Sequence, residues 1–110
     1  MKKDFRKYLS QNTVVFDGAF GTMLQREVGD PGMLPERFNT ERPDVVSAIH
    51  RAYAEAGADV ISANTFGANR AKAGERSDEL IRAGVALARA AAPDRFVALD
   101  LGPTGRLAEP

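Results

Sequence analysis

Three short apolar runs alternate along the chain with two longer stretches of helical periodicity. The first run, Thr13-Val14-Val15-Phe16, is β-rich and is stopped by Asp17-Gly18. The second, Val60-Ile61, sits among small residues in the stretch from Gly57 to Arg70, as in a short parallel strand covered on both faces, and stops at Asn64, Thr65 and Gly67. The third, Phe96-Val97-Ala98-Leu99, stops at Asp100. Between the first two, Val45, Val46, Ile49, Ala52, Tyr53 and Ala56 recur at helical spacing from Pro43 to Gly57. Between the last two, Leu80, Ile81, Val85 and Ala88 form the inner stripe of a helix that Ser77 is placed to cap and Pro93 to end, with Asp78 and Glu79 suited to its N-terminal dipole. Lys3 to Gln11 reads as a leading helix and Ala19 to Gln25 as a turn feeding a short helix. Gly29-Asp30-Pro31-Gly32 breaks the chain, and Met33 to Glu41 reads as a loop.

Strand, helix, strand, helix, strand implies parallel pairing through crossover helices. Strand starts near residues 14, 59 and 96 are 45 and 37 residues apart, against roughly 31 per unit in a (β/α)8 barrel of about 250 residues. The fold class expected is therefore α/β, the N-terminal portion of a (β/α)8 TIM barrel comprising about three βα units. A third strand with no closing helix behind it suggests a barrel cut short at Pro110.

Composition narrows the function. The 110 residues carry 15 basic and 15 acidic side chains, so no basic excess favours nucleic acid or an anionic membrane. No run approaches a membrane span and no apolar core of signal-peptide length follows Met1, so a cytoplasmic location is expected. The absence of cysteine excludes disulfides and thiolate metal sites within these residues, and a single histidine makes no metal site alone.

The candidate chemistry lies at the strand ends, because ligands of α/β folds bind at the carboxyl ends of parallel strands. Asp17-Gly18, Asn64-Thr65 and the segment from Asp100 to Thr104 converge there. A carboxylate such as Asp17 can hold an ammonium, and Gly18 leaves backbone N–H approachable by an anion, so an amino acid satisfies both. Asp-Gly is also a common turn signal, and Asn, Thr and Gly are ordinary turn and capping residues. Gly102-Pro103-Thr104-Gly105 lacks the lysine and spacing of a P-loop and shapes the backbone first. His50, beside the apolar stripe, suits an exposed or capping histidine better than a general base. Tyr53 and Phe66 suit packing better than a cofactor platform.

Asp17-Gly18-Ala19-Phe20-Gly21-Thr22, the helix from Pro43-Asp44-Val45-Val46 through Ile49-His50-Arg51-Ala52-Tyr53, the stretch Ala56-Gly57-Ala58-Asp59-Val60-Ile61 with Asn64-Thr65-Phe66-Gly67-Ala68, and Asp100-Leu101-Gly102-Pro103-Thr104-Gly105 together resemble the homocysteine S-methyltransferase family, most closely its cobalamin-dependent branch. The resemblance runs from about Val14 to Pro110. It implies methyl transfer to the thiol of homocysteine, giving methionine, on a TIM barrel. The implied donor is methylcobalamin recharged from 5-methyltetrahydrofolate, with betaine or S-methylmethionine as alternatives. By the same resemblance Asp17 binds the substrate ammonium, the backbone of Gly18 and Ala19 its carboxylate, and Asn64 and Thr65 shape the pocket. The family holds the thiolate on zinc through later cysteines, which this chain lacks. Residues 1–110 are therefore expected to be the first part of a homocysteine-binding domain, inactive alone and without zinc of their own. The rest of the barrel and folate- and cobalamin-binding domains are the implied partners. The other class of reading is a non-catalytic α/β binding module or an inactive gene fragment.

Overall fold

The computed structural model describes residues 4–29, 32, 34–68 and 73–100. In chain order these form α1 (Phe5–Gln11), α2 (Phe20–Val28), a 3-10 turn (Pro35–Arg37), α3 (Phe38–Glu41), α4 (Pro43–Glu55), β1 (Val60–Ser62), a second 3-10 turn (Gly74–Arg76), α5 (Ser77–Ala91) and β2 (Phe96–Ala98). The strands β1 and β2 pair in parallel, Val60 with Phe96, Ile61 with Val97 and Ser62 with Ala98. Their connection contains α5, as a parallel pair requires. On the other edge of β1, Phe16 makes a single parallel bridge to Val60, which leaves β1 in the middle.

The run Thr13-Val14-Val15-Phe16 is thus a bridge rather than the strand its composition suggests. The Val15 carbonyl accepts from the amides of Asp59 (2.7 Å) and Val60 (3.2 Å), and the Asp17 amide donates to the Val60 carbonyl at 3.0 Å. Val15 and Phe16 remain 51% and 55% exposed. With apolar side chains uncovered on this side, pairing does not extend into a ladder.

Helices α4 and α5 pack on one another and against the strands. One buried cluster joins Ala54, Ala58, Ile61, Ala63, Ala88 and Ala92, with Tyr53, Val85 and Val97 against it. Alanines on both helices allow a close approach to β1, since a methyl group holds surfaces apart less than a branched chain does. A second cluster, Leu24, Phe38, Val45, Val46 and Ile49, binds α2 and α3 to α4.

Three local readings change. Residues 35–41 of the expected loop are helical: Pro35 stands at the first position of the 3-10 turn, and Glu36, Phe38 and Asn39 point inward. Met33 lies outside the described residues. Ser77 does not cap α5. It has helical dihedrals (φ −56°, ψ −45°), and the chain enters the helix through the 3-10 turn, with Arg76 at the N-cap. The inner stripe of α5 is Ser77, Leu80, Gly84 and Ala88, while Ile81 and Val85 are half-buried.

At the N-terminal end of the strands α1 is held by aromatic contacts. Phe5 and Tyr8 meet the ring of Phe96 edge-on at 5.0 and 5.4 Å. The Tyr8 hydroxyl donates to Asp59 Oδ1 at 3.0 Å, and the Val15 amide donates to Asp59 Oδ2 at 3.0 Å. That end is closed by packing, and the opposite end carries the cavity. No helix among the described residues is long and apolar enough to cross a membrane.

Candidate functional site

A cavity of about 440 Å³ opens at the carboxyl ends of the strands, lined by residues 17–21, 34–36, 62–67 and 100. Asp17, Gly18, Ala19, Asn64 and Thr65 are all among them, and Asp100 joins them from the end of β2. Residues 101–105, the rest of the third strand-end segment, lie outside the described residues.

Asp17 follows the bridge residue directly and is aimed at β1, where its Oδ2 accepts the Ser62 amide at 3.1 Å. Burial pushes its carboxyl above the ordinary carboxylate range. The hydrogen bonds from Ser62 oppose that shift, and the nearby Asp100 charge adds to it. A carboxylate in that state gains from a cationic partner. Among the described residues the lining holds two further carboxylates, Glu36 and Asp100, and no lysine, arginine or histidine.

Next to Asp17 the chain turns into α2. The N-cap is Ala19, so no side chain caps the helix, and its first turn contains no acidic residue. Phe20 and Gly21, the first two helical residues, line the cavity. Opening helix amides have no intrahelical acceptor and carry partial positive charge. The cavity therefore combines an acidic lining with an uncapped helix start, a charge pattern that complements a zwitterion.

The loop after β1 is built differently. Asn39 and Asn64, both buried, face each other. Asn64 Nδ2 donates to Asn39 Oδ1 at 3.0 Å and to the Pro35 carbonyl at 3.1 Å, and Asn39 Nδ2 donates to the carbonyls of Asn64 (2.8 Å) and Leu80 (3.0 Å). The Thr65 hydroxyl donates to the Asp100 carbonyl at 2.8 Å and accepts the Asp100 amide at 3.0 Å. The Gly67 amide donates to Glu36 Oε1 at 2.9 Å, and a Cβ at Gly67 would lie 2.5 Å from that oxygen. Asn64 and Thr65 thus spend most of their polar capacity on holding the wall.

Several contributors are not apparent in the sequence pattern. Glu36 and Asn39 sit in what reads as a loop, and buried polar residues there gain meaning only from partners 25 to 41 positions away. Tyr53 does pack as expected, yet its hydroxyl also donates to the Ala19 carbonyl at 3.0 Å. Phe66, expected to pack, is 50% exposed on the cavity lining. His50 is neither exposed nor capping. It is fully buried beside the ring of Phe20 (5.4 Å), with no hydrogen-bond partner on either nitrogen among the described residues, and burial lowers its pKa to about 4.

The described residues do not fit a zinc ion. No three His, Cys, Asp or Glu side chains among them come together as a metal site, and the whole chain has no cysteine.

The family model for homocysteine S-methyltransferase matches residues 14–110. Over 122 residues the chain is 40% identical to the methionine synthase of Mycobacterium tuberculosis (strain ATCC 25618 / H37Rv), a match covering 94% of this chain and 10% of that protein. It is 36% identical over 126 residues to the methionine synthase of Mycobacterium leprae (strain TN), with the same coverage. Among solved structures, the homocysteine methyltransferase MmuM from Escherichia coli superposes with a TM-score of 0.78 in its metallated form and 0.80 in its oxidized form, at 26% and 25% identity. Both superpositions cover 91% of this chain and 41% of the other. The chain spans about a tenth of the length of the curated relatives it matches.

Proposed function

Because the chain belongs to the homocysteine S-methyltransferase family, we propose that it supplies the amino-acid-binding side of a site that transfers a methyl group to the thiol of homocysteine. The observation that carries this reading is the junction of Asp17 with the uncapped start of α2, in one cavity with Asn64 and Thr65. Asp17 takes the substrate ammonium. The backbone at Gly18 and Ala19 takes the carboxylate, and Asn64 and Thr65 hold the facing wall. The amino acid is thereby gripped at its common end, which leaves its side-chain thiol to be directed at the methyl donor. Such fixation serves the reaction by replacing a random encounter with a bound orientation.

In this proposal residues 1–110 form the first part of a homocysteine-binding domain on a (β/α)8 barrel. The superposition on a longer homocysteine methyltransferase supports the extent, since 91% of this chain corresponds to 41% of that one. The remainder of the barrel, and folate- and cobalamin-binding domains, are the partners. Higher identity to the two methionine synthases than to MmuM supports methylcobalamin recharged from 5-methyltetrahydrofolate as donor, ahead of betaine or S-methylmethionine. With no cysteine to hold zinc, the 110-residue chain is inactive alone in this proposal.

Calorimetric titration with L-homocysteine tests the site. Asp17→Asn should weaken binding by roughly tenfold to a hundredfold, the value of a hydrogen bond to a charged group. It should leave 4-sulfanylbutanoate, which has no ammonium, unaffected. Equal loss for both ligands would sink the role given to Asp17.

A further inference from the structure

We infer that Tyr53 is a positioning residue for the carboxylate of the substrate, acting through the peptide between Ala19 and Phe20. This rests on the role proposed above for the backbone at Gly18 and Ala19. Tyr53 stands on α4, half-buried, and its ring packs against both core clusters. Packing accounts for the ring. The hydroxyl does something separate.

That hydroxyl donates to the Ala19 carbonyl across 34 positions of sequence, at 3.0 Å. A peptide unit is planar and trans, so its C=O and its N–H point in opposite directions. Tying the Ala19 carbonyl to Tyr53 therefore turns the Phe20 amide away from Tyr53. Phe20 is the first residue of α2 and lines the cavity, and its amide is among those without an intrahelical acceptor. The Ala19 carbonyl, at the N-cap, also accepts the first intrahelical bond of α2, so the Tyr53 hydroxyl is a second donor on one oxygen, steadying the Ala19–Phe20 plane at a helix start where neither Ala19 nor Gly18 is buried.

The same side chain also bounds the loop one residue earlier. A Cβ at Gly18 would lie 2.9 Å from the Tyr53 hydroxyl oxygen and 3.0 Å from its Cε1. Gly18 thus lets the backbone lie directly on the tyrosine edge, and the hydroxyl reaches the next carbonyl. Tyr53 contacts both residues whose backbone is proposed to receive the carboxylate, and it comes from the helix that leads into β1. The Ala19–Phe20 peptide, on which the proposed carboxylate-binding turn ends, and the lie of the backbone at Gly18 are therefore set from the scaffold as well as by the loop itself.

The test is Tyr53→Phe in the protein as the cell makes it, titrated with L-homocysteine and with 3-aminopropane-1-thiol, which keeps the ammonium and thiol and lacks the carboxylate. The expected result is about a fivefold loss of affinity for L-homocysteine and no change for the aminothiol. A merely structural role would move both ligands together, and that outcome overturns the inference. So does a Tyr53→Phe protein that no longer folds, because the hydroxyl would then serve stability. If the wild-type protein binds the two ligands equally, the carboxylate reading of the loop fails and takes this inference with it. If the wild type discriminates and Tyr53→Phe discriminates to the same degree, only the inference falls.

Discussion

The two strand-end loops that face each other across the cavity are held in opposite ways. Residues 63–65, 67 and 68 are buried, and the loop they form after β1 is fastened by the Asn39–Asn64 amide pair, by Glu36 on the Gly67 amide and by Thr65 on Asp100. The loop of residues 17–19 has its last two residues exposed. It is fastened by the Ser62 amide on Asp17, by the Asp17 amide on Val60 and by the Tyr53 hydroxyl on Ala19. A buried, fully bonded loop opens only at a cost near that of the whole domain, whereas an exposed one adjusts locally. Polar groups consumed by the fold have little left for a ligand. The second loop is therefore a wall whose changes should register as stability, and under the function proposed above the first is the receptor, whose changes should register as affinity.

The largest effect that comparison anticipates is in the wall. Asn39→Leu removes the acceptor for Asn64 Nδ2 and the donor for the Asn64 and Leu80 carbonyls, in a place where Asn39 and Asn64 are 3% and 7% exposed. Asn64 Nδ2 keeps the Pro35 carbonyl and Leu80 its helical donor, so the loss falls on the Asn64 carbonyl and on the second bond of Nδ2; at about 1–3 kcal/mol for each, urea unfolding should show a loss of roughly 3 kcal/mol. A loss under about 1 kcal/mol, the middle of the range for ordinary substitutions, would mean the amide pair is dispensable and the contrast between the loops is false.

What the residues disclosed in advance follows the same division. The long helices, the parallel pairing and the convergence of Asp17 with Asn64 and Thr65 are legible, because periodicity and strand ends are local signals. The wall is not. Asn39 and Glu36 lie in a short helical segment after a run of glycine and proline, and their burial is decided by a carbonyl at residue 64 and an amide at residue 67. The strand expected at 13–16 shrank to a bridge because strand length depends on neighbours on both edges, which its own composition does not report. His50 was misread for a related reason. At the margin of the apolar stripe on α4 it is the packing of α2, through Phe20, that buries it.

His50 provides the next effect, of comparable size and different kind. Its pKa falls from 6.5 to about 4 because burial disfavours the imidazolium. Between those values the unfolded chain binds more protons than the folded one, so stability is full above pH 6.5 and declines as pH falls toward 4. The separation corresponds to roughly 3 kcal/mol. Unfolding free energies of the wild type and His50→Leu, subtracted at each pH, isolate this from the carboxylates. The difference should slope across that window and flatten outside it. A difference that is flat throughout would mean that His50 is protonated as easily in the fold as in water.

The smallest effect is the sharpest probe of the comparison, because one substitution should change sign between the two regions. In the buried wall, a Cβ on Gly84 of α5 would lie 2.8 Å from Asn39 Nδ2 and 3.0 Å from both the Asn64 carbonyl oxygen and Thr65 Cγ2. Alanine in a helix interior gains about 1 kcal/mol over glycine, but overpacking of this kind costs about 1–3 kcal/mol. Gly84→Ala should therefore destabilise by roughly 1 kcal/mol, since the neighbours include backbone and a bonded amide that cannot swing aside. At Gly21, in the first turn of α2 beside the receptor loop, a Cβ would meet nothing within 4 Å. Gly21→Ala should be neutral or stabilise by about 0.5 kcal/mol, less than the interior value because it lies at a helix end. Thermal unfolding of the two variants side by side gives the answer. Two shifts of the same sign would show that α5 can move off the loop, and that the wall is no better fixed than the receptor.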